Sequence, residues 1–217
     1  MDINFNKIDF PPILFVSGID TDAGKTFATG WLAFQMMKLG LEVTTQKFIQ
    51  TGNKDMSEDI VAHRKIMGVP LSGADRTGIT APIILSYPAS PDLAARIDNT
   101  EINTDVIAEA TKALSTHYSH VLLEGAGGLM VPIKGEYLTI DYIADHDLPV
   151  ILVTNGRLGS INHTLLSLSA LKAKGISLFA VVYNTYFDQD KVIAEDTRSY
   201  IRKWTEHHFP KAYYWEF

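Results

Sequence analysis

Residues 17–26 read SGIDTDAGKT and end in Gly24-Lys25-Thr26, the three residues that close a Walker A phosphate-binding loop. In that loop the backbone N–H groups hold phosphates, the lysine reaches the β- and γ-phosphates, and the threonine hydroxyl ligates Mg²⁺. The Walker A pattern has four residues between its glycines, whereas five separate Gly18 from Gly24 here. The match is therefore either accidental or a variant loop that one branch of nucleotide-binding proteins uses.

A phosphate-binding loop that works with Mg²⁺ needs carboxylates, and Glu124 is a well-placed candidate. It ends the apolar run HVLLE and is followed by Gly125-Ala126-Gly127-Gly128, a predicted turn that lets a ligand approach the backbone closely. A carboxylate at the carboxyl end of a buried strand, in the same sheet as the loop, can bind Mg²⁺. The alternative is a glutamate that only stabilises the turn.

Two further charged residues have an ambiguous position. Asp59 lies in the segment SEDIVAHR, and acidic residues are common in the first turn of a helix whether or not they bind a metal. Lys47 lies near the end of EVTTQKF, a segment whose β-branched residues are typical of a strand. A lysine that extends from a strand end into solvent is the commoner explanation for Lys47.

These residues belong to a chain in which short apolar runs alternate with segments of helical periodicity. Strands are predicted at residues 13–17, 42–48, 120–124, 149–154 and 179–184. Helices are predicted at residues 25–40, 55–67, 104–118, 160–175 and 189–208. This alternation predicts an α/β fold with a mostly parallel sheet flanked by helices on both faces, the three-layer arrangement of P-loop NTPases. The strand order does not follow from the pattern.

The first predicted helix shows an apolar stripe with a spacing of three or four residues, formed by Phe27, Trp31, Phe34 and Met37. The stripe is predicted to face the core. The Gly-Lys-Thr triplet then falls between the first buried strand and this helix, where backbone N–H groups and the helix dipole favour an anion. A glycine turn followed by a helical Lys-Thr is the alternative, but the position of all three parts favours phosphate binding.

Composition narrows the range of functions. The chain has 217 residues, of which 46% are hydrophobic, so residues 1–217 are expected to form a single domain with a sizeable core. The net charge is −6 and no run of Lys or Arg exceeds two residues, so neither nucleic acid nor an anionic membrane is an expected partner. Cysteine is absent, which excludes disulfides and thiol nucleophiles. The N-terminus resembles neither a signal peptide nor an anchor, and a cytoplasmic protein is expected.

The remaining polar residues suggest no other chemistry. The seven histidines form no chelating pair with a glutamate between them, and we interpret them as structural or surface residues. The sequence has no Gly-x-Ser-x-Gly motif, so hydrolysis by a Ser/His/Asp triad has no support.

The blocks of this sequence resemble the dethiobiotin synthetase family, whose loop GTDT-x-x-GKT has the same five-residue spacing as GIDTDAGKT. KFIQTG resembles the family's Lys-Pro-x-x-[Ser/Thr]-Gly segment, SEDIVAHR its acidic segment, and EGAGGLMVPI its Glu-Gly-Ala-Gly-Gly turn. LGSINHTLLSLSALKAKGI resembles the family's long helix, and VVYNTY its strand that ends in Asn. These blocks occur in the family's order over residues 13–186, and they account for the unusual loop spacing.

The resemblance implies an ATP-dependent ligase of biotin biosynthesis, with Mg²⁺ as its cofactor. Its substrates would be 7,8-diaminononanoate, CO₂ or bicarbonate, and ATP. One amine captures CO₂ as a carbamate, and the carbamate oxygen attacks the γ-phosphate to give a carbamic–phosphoric anhydride. The second amine then expels phosphate and closes the cyclic urea. Such chemistry requires mainly positioning and stabilisation of charge.

The resemblance also implies the site residues, and it assigns catalytic roles to Lys47 and Lys25. The implied Mg²⁺ ligands are Thr26, Asp59 and Glu124. The implied ATP-binding residues are Asp22, Ala23, Gly24, Lys25, Thr26, Phe27, Asp59, Glu124, Gly125, Ala126, Gly127 and Asn184, of which Asn184 reads the purine edge. The implied substrate-binding residues are Lys47, Thr51, Gly159, Ser160, Ile161 and Asn162, the last four at the start of a helix that binds the substrate carboxylate across a homodimer interface.

Three positions depart from the family pattern. Phe48 follows Lys47 where the family usually has proline, and Asp92 stands where the family segment Ser-Pro-His-Leu-Ala-Ala has histidine. The C-terminal stretch HHFPKAYYWEF lacks the family's Gly-x-[Ile/Leu]-Pro segment, and we assign no site residue there.

Two other classes of P-loop protein remain as alternatives. A switch or partitioning ATPase without small-molecule ligation usually carries a lysine near the start of its loop, where this chain has Asp20. An amidotransferase-type relative would need a glutaminase domain with a nucleophilic cysteine, which this chain lacks.

Overall fold

Six parallel strands form the central sheet in a computed structural model that describes residues 5–217; residues 1–4, which belong to the predicted domain, lie outside the described part. In chain order the strands are β1 (Ile13–Gly18), β2 (Val43–Lys47), β3 (Gln50–Thr51), β4 (Ile84–Leu85), β5 (His120–Gly128), β6 (Pro132–Lys134), β7 (Tyr137–Leu138), β8 (Val150–Asn155), β9 (Leu178–Asn184) and β10 (Tyr213–Glu216). The helices are α1 (Lys25–Lys38), α2 (Glu58–Met67), α3 (Gly73–Arg76), α4 (Pro91–Ile97), α5 (Asp105–Leu114), α6 (Thr139–Asp145), α7 (Ser160–Ala173) and α8 (Lys191–His208).

The order of strands in the sheet is β10-β9-β8-β1-β5-β2, and every neighbouring pair is parallel. The predicted α/β class with a parallel sheet is therefore confirmed. The strand β1, which leads into the phosphate-binding loop, lies between β8 and β5. Because all strands run the same way, the segments that follow β1, β2, β5 and β9 all leave from one edge of the sheet.

Both faces of the sheet are buried. Alternate residues of β1 point to opposite faces, so Leu14 and Val16 pack against Leu32 and Met36 of α1, whereas Phe15 packs in the core on the other side. That second core contains Phe48, which is completely buried and lies 4.7 Å from Tyr142 between ring centroids. Burial on both faces explains why these strands read as continuous apolar runs rather than as alternating ones.

The predicted apolar face of α1 is confirmed for Trp31 and Met37, which pack partly buried against the core, and is wrong for Phe27 and Phe34. Phe27 and Phe34 are exposed, and the buried residues of α1 include Ala28, Leu32, Ala33 and Met36. The reason is the close packing of α1 against α2, in which a Cβ at Gly30 would lie 3.0 Å from Ile66. Only small residues fit on the face towards α2, so the aromatic residues lie elsewhere on the helix.

The sequence predicts a turn for the glycine-rich segment after Glu124, and this prediction is wrong. The segment forms the second half of β5. In this half Gly128 pairs with Gly18 of β1. A Cβ at Gly128 would lie 3.2 Å from the carbonyl oxygen of Gly18, so the absence of a side chain allows this close pairing.

The C-terminal strand β10 and several short elements were not predicted. β10 adds to the sheet edge beside β9, where it buries Trp215. The elements β3, β4, β6, β7, α3, α4 and α6 also had no prediction. The other predicted elements exist, but α2 begins at Glu58 rather than at residue 55, and α5 ends at Leu114 rather than at residue 118. Within residues 5–217, none of the helices combines the length and the apolar character that crossing a membrane requires.

Candidate active site

The loop between β1 and α1 winds through a 3-10 turn (Thr21–Ala23) that Asp20 caps, because its Oδ1 accepts a hydrogen bond from the N–H of Thr21 at 2.7 Å. Lys25 is the first residue of α1 and is buried. Its Nζ donates to the carbonyl oxygens of Asp20 and Thr21, each at 3.0 Å. The predicted nucleotide-binding residues 22–26 thus surround a helix N-terminus, which favours an anion.

Gly24 joins this loop to the end of β9. Its φ of 101° lies in the left-handed region, and a Cβ there would collide with the side-chain amide of Asn184. Asn184 is buried, and its Nδ2 donates to the carbonyl oxygen of Ala23 at 3.2 Å. Its Oδ1 accepts from the N–H of Tyr186 at 3.0 Å. The structure therefore brings Asn184 into contact with the loop.

The three oxygen-bearing residues of the predicted Mg²⁺ site meet beside the loop. Thr26 lies in the first turn of α1, Asp59 in the first turn of α2, and Glu124 in the middle of β5. The Thr26 hydroxyl donates to Asp59 Oδ1 at 2.8 Å and to Glu124 Oε1 at 3.1 Å. Residues separated by as many as 98 positions in the chain thus contact one another directly.

Lys47 completes this cluster. It is paired with Glu124 in the register of β2 and β5, so both side chains lie on the same face of the sheet. Its Nζ lies 2.7 Å from Glu124 Oε1, 2.5 Å from Asp59 Oδ2 and 3.2 Å from the carbonyl oxygen of Gly125. The side chain is buried and does not extend into solvent, so the commoner explanation for a lysine at a strand end does not apply.

Lys47 and Glu124 hold each other in their ionised forms. Burial alone would lower the pKa of Lys47 and raise that of Glu124. Their mutual attraction and hydrogen bonds outweigh burial, so the pKa of Lys47 lies above its ordinary value and that of Glu124 well below. For Lys25, burial and then the charge of Lys47 lower the pKa to about 8, which makes this ammonium group the easiest of the three charges to neutralise.

The arrangement fits Mg²⁺. A single hydroxyl proton of Thr26 is shared among three oxygen atoms from Thr26, Asp59 and Glu124, which are the hard ligands that Mg²⁺ prefers. Within the described chain no group of three or more His, Asp or Glu residues could hold a metal by itself. In the usual Mg²⁺ site of phosphoryl-transfer enzymes, one or two carboxylates act together with phosphate oxygens of the nucleotide.

His63 is a member of the cluster that the sequence analysis interpreted as an ordinary histidine. It is completely buried, and its Nε2 lies 2.6 Å from Glu124 Oε2. The only signal in the sequence is its position four residues after Asp59, which places both side chains on the same face of α2.

The other predicted residues lie around this cluster or apart from it. Gly125, Ala126 and Gly127 belong to β5 next to Glu124, whereas Phe27 is half exposed and stacks on Phe217 with ring centroids 5.0 Å apart. Thr51 lies in β3, which pairs with β4 outside the central sheet.

The four residues at the start of α7 have no hydrogen bond to the cluster among residues 5–217. Gly159 has a φ of 97° and precedes Ser160, the first residue of α7. The hydroxyl of Ser160 donates to Asn155 Oδ1 of β8 at 2.6 Å. Ile161 is partly buried and Asn162 is exposed. Within one chain, Ser160 is therefore bound to β8, and Ile161 packs against the core.

Asp92 has a structural contact. Its Oδ1 accepts from the N–H of Gly135 at 2.9 Å, and its Oδ2 accepts from Arg96 Nε at 3.2 Å. The side chain thus ties α4 to the β6–β7 hairpin, which explains how an acidic residue is accommodated at this position.

Comparison with known proteins assigns the chain to a family. The family model described as an AAA domain matches residues 13–208. An ATP-dependent dethiobiotin synthetase of Pasteurella multocida is 49% identical over 200 residues, which are 92% of this chain and 94% of that protein. The chain belongs to the dethiobiotin synthetase family. A second such synthetase, of Haemophilus ducreyi, is 50% identical over 92% of this chain and 95% of its own length, and one of Chlorobaculum tepidum is 49% identical over 87% of this chain and 79% of its own.

Solved structures of lower identity show the same fold. The chloroplast FtsY of Physcomitrella patens is 16% identical with a TM-score of 0.53, and this chain covers 58% of it. The signal recognition particle receptor FtsY of Elizabethkingia anophelis, in complex with GDP, is 18% identical with a TM-score of 0.51, and this chain covers 57% of it. The predicted P-loop fold and the predicted family of ATP-dependent ligases are both confirmed.

Proposed function

We propose that the protein uses MgATP to carboxylate 7,8-diaminononanoate with CO₂ and to close dethiobiotin, a cyclic urea of biotin biosynthesis. The observation that carries this proposal is the contact of Lys47 with Asp59 and Glu124 beside the phosphate-binding loop, in a member of the dethiobiotin synthetase family. An ammonium group and two carboxylates therefore lie together beside the loop, where the phosphates of ATP would meet the substrate.

The proposed reaction takes place in three steps. One amine of the diamine attacks CO₂ and loses a proton to give a carbamate. A carbamate oxygen attacks the γ-phosphorus, the bond to the ADP oxygen breaks, and a carbamic–phosphoric anhydride forms. The second amine attacks the carbamate carbon, phosphate leaves with the electron pair of the C–O bond and takes up the proton that the nitrogen loses, and the ring closes.

The two lysines stabilise the negative charge that moves during these steps. Lys47 carries its charge throughout, because Glu124 and Asp59 hold its pKa above the ordinary value, and it neutralises the carbamate and the transferring phosphoryl group. Lys25 neutralises the β- and γ-phosphates from the N-terminus of α1. Neither residue is required to change its protonation state in the reaction.

Thr26, Asp59 and Glu124 would hold Mg²⁺ together with the nucleotide. A metal ion bound there would supply Lewis-acid chemistry that offsets the negative charge of the phosphates. The protein's own part is to keep the three oxygen-bearing side chains in contact before the nucleotide binds.

Asn184 is proposed to select the base of ATP. Its Oδ1 and Nδ2 each make one hydrogen bond within the protein, which leaves one lone pair and one N–H for a ligand. An amide of this kind matches the N6 donor and N7 acceptor of adenine, as it does in nucleic-acid recognition.

The diamine is proposed to lie between two copies of the chain. Thr51 and Lys47 bind its amine end on one copy, and residues 159–162 of the second copy bind its carboxylate. Two observations support a homodimer: these four residues are not hydrogen-bonded to the cluster of their own chain, and exposed leucines, Leu158 and Leu166, lie beside them. A helix N-terminus suits a carboxylate for the same reason that it suits a phosphate.

The domain boundaries and the cellular location stay predictions. We propose one catalytic domain for residues 1–217, because the strands of the central sheet extend from Ile13 to Glu216. The proposed reaction uses ATP and CO₂, which agrees with the expected cytoplasmic location.

The test is the release of phosphate from MgATP with and without 7,8-diaminononanoate and bicarbonate, together with the mass of the product. We expect release that requires both co-substrates and a product with the mass of the cyclic urea. The Lys25→Met variant is the control for contaminating ATPases. Release that does not depend on the diamine would contradict the ligase and support the switch-type ATPase.

A further inference from the structure

The two oxygen atoms of Glu124 have different neighbours. Oε2 lies 2.6 Å from His63 Nε2, whereas Oε1 accepts hydrogen bonds from Lys47 at 2.7 Å and from Thr26 at 3.1 Å. His63 and Glu124 are both completely buried, so no solvent takes part in this contact. The orientation of the carboxylate therefore depends on a histidine that lies on the side away from the proposed Mg²⁺.

The other ring nitrogen of His63 has a partner with a defined direction. Nδ1 lies 3.0 Å from the hydroxyl of Thr45, and the same hydroxyl oxygen accepts from Arg64 Nη1 at 2.8 Å. A guanidinium group can only donate hydrogen bonds. The hydroxyl proton of Thr45 is therefore available for His63 Nδ1. Because the carboxylate of Glu124 can only accept, His63 Nε2 donates to Oε2.

Arg64 is itself fixed in position. Its Nε and Nη2 donate to the two carboxylate oxygens of Asp75 at 2.9 and 2.8 Å, a bidentate pair that is buried. In the series Arg64–Thr45–His63–Glu124 each residue therefore donates a hydrogen bond to the next. The series starts at the buried ion pair of Arg64 with Asp75.

The backbone brings the series to the active site at two points. His63 lies one helical turn after Asp59 on α2, and Thr45 lies two residues before Lys47 on β2, on the same face of the strand. Two groups of the series thus stand directly beside two groups of the candidate site.

We propose that His63 is a positioning residue, which donates from Nε2 to Glu124 Oε2 and so keeps Oε1 directed at Thr26 and Lys47, where Mg²⁺ would bind. The proposal rests on the proposed function for the identity of the metal. Loss of the donor frees the carboxylate to rotate and leaves a buried oxygen without a partner. Removing a residue that hydrogen-bonds to a metal ligand typically weakens metal binding by about 10- to 100-fold.

The experiment measures the affinity for Mn²⁺ by electron paramagnetic resonance, in the presence of a non-hydrolysable ATP analogue. His63→Leu removes both hydrogen bonds, whereas His63→Gln keeps a donor near the position of Nε2. For His63→Leu we expect Mn²⁺ binding weakened by about 10-fold or more, and for His63→Gln by less than about 3-fold. Thr45→Val, which removes the group that orders the ring, is expected to give an intermediate loss.

Gln46→Leu is the matched control. Gln46 is a completely buried polar residue of the same strand, but its amide contacts Ile107 and Thr111 on the opposite face of the sheet. We expect this variant to lower the melting temperature without a change in Mn²⁺ affinity. If His63→Leu does the same, His63 is only a buried structural residue and the proposal is overturned.

One further outcome would contradict the proposal, and one further variant keeps it testable. Equal losses in His63→Gln and His63→Leu would show that the hydrogen bond to Glu124 does not position the carboxylate. If His63→Leu does not fold, His63→Asn takes its place, because its shorter amide keeps a partner for Thr45 but does not reach Glu124. The Mn²⁺ measurement requires no turnover, so the proposal can hold even if no cyclic urea forms and the proposed function fails.

Discussion

Lys47 Nζ lies 2.7 Å from Glu124 Oε1, and the two residues are direct partners in the register of β2 and β5. The same oxygen also accepts the hydrogen bond of Thr26. Glu124 Oε1 therefore accepts hydrogen bonds both from Lys47, the lysine of the proposed chemistry, and from Thr26, a residue of the proposed metal site. The ammonium group and a metal ion compete for the same negative charge.

The first prediction concerns this competition. Lys47→Met keeps the length of the side chain and removes its charge, so turnover should fall by roughly 100- to 1,000-fold, as for the loss of one group that stabilises a developing charge. Without nucleotide, the variant should bind Mn²⁺ more tightly than the wild type, because Asp59 and Glu124 lose their ammonium partner. Steady-state kinetics and Mn²⁺ titration measure the two effects.

The control for this variant is Lys174→Met. Lys174 forms an ion pair with Asp141 at 2.6 Å on the surface, and such pairs contribute about 0–1 kcal/mol to stability. Both turnover and Mn²⁺ affinity should stay at the wild-type values in this variant. Near-normal turnover of Lys47→Met would remove Lys47 from the chemistry.

The second prediction concerns the hydroxyl of Thr26. Thr26→Val keeps the shape of the side chain but removes the oxygen that contacts Asp59 and Glu124, so the Mg²⁺ concentration for half-maximal phosphate release should rise by about 10-fold. Thr26→Ser should restore most of the wild-type response. Thr29→Val is the control on the next turn of α1, because Thr29 Oγ1 is buried and has no hydrogen-bond partner among residues 5–217. An unchanged Mg²⁺ response in Thr26→Val would exclude Thr26 from the ligands.

The parts of the fold that the sequence predicts are those with a local signal. Strands of the central sheet are buried on both faces, so segments such as residues 150–153 read as uninterrupted apolar runs. The phosphate-binding loop could be placed because Gly24 and Lys25 lie between an apolar run, which forms β1, and a segment with helical periodicity, which forms α1. Neither inference needs a contact between distant parts of the chain.

The parts that could not be predicted depend on contacts between distant residues. The strand β10 has only four residues, and its place at the sheet edge depends on its pairing with β9. The buried face of α1 depends on Ile66 of α2 opposite Gly30. His63 contacts Glu124 across 61 positions of the chain, and no spacing in the sequence indicates such a pair.

The third prediction concerns the choice of base. Asn184→Ala removes both groups available to adenine, so the KM for ATP should rise by about 10-fold, as expected for the loss of a bidentate contact worth about 1–3 kcal/mol. The preference for ATP over GTP should decrease in the same variant, while kcat changes little. Competition between the two nucleotides in the phosphate-release assay measures the preference. A preference equal to that of the wild type would assign the selection of the base to other residues.

The fourth prediction concerns the proposed dimer. The side chain of Leu166 on α7 is 62% exposed, and the 24.1 kDa chain should form a homodimer that covers it. Leu166→Asp should shift the mass in light scattering to that of a monomer and abolish ring closure without loss of nucleotide binding. Phe34→Asp is the control, because Phe34 is 38% exposed on α1, which packs on the opposite face of the sheet from α7. A wild-type monomer with full activity would contradict the shared site.

The fifth prediction concerns the buried ion pair of Arg64 and Asp75. Burial alone would raise the pKa of Asp75, but the hydrogen bonds and charge of Arg64 lower it to about 2. A carboxyl with a folded-state pKa below its unfolded value stabilises the protein above pH ~4, and this contribution is lost as the pH falls towards 2. A difference of almost two units corresponds to roughly 2 kcal/mol.

Urea unfolding at pH 6, 4 and 2.5 would measure this contribution. Asp75→Asn should lower the free energy of unfolding at pH 6 by about 3–5 kcal/mol, because it leaves the buried Arg64 without a counter-ion. Its remaining stability should then fall less steeply between pH 4 and pH 2.5 than that of the wild type. Glu206→Gln, at an exposed position of α8, is the control and should keep the wild-type slope. Equal slopes in Asp75→Asn and the wild type would show that another carboxylate governs the acid transition.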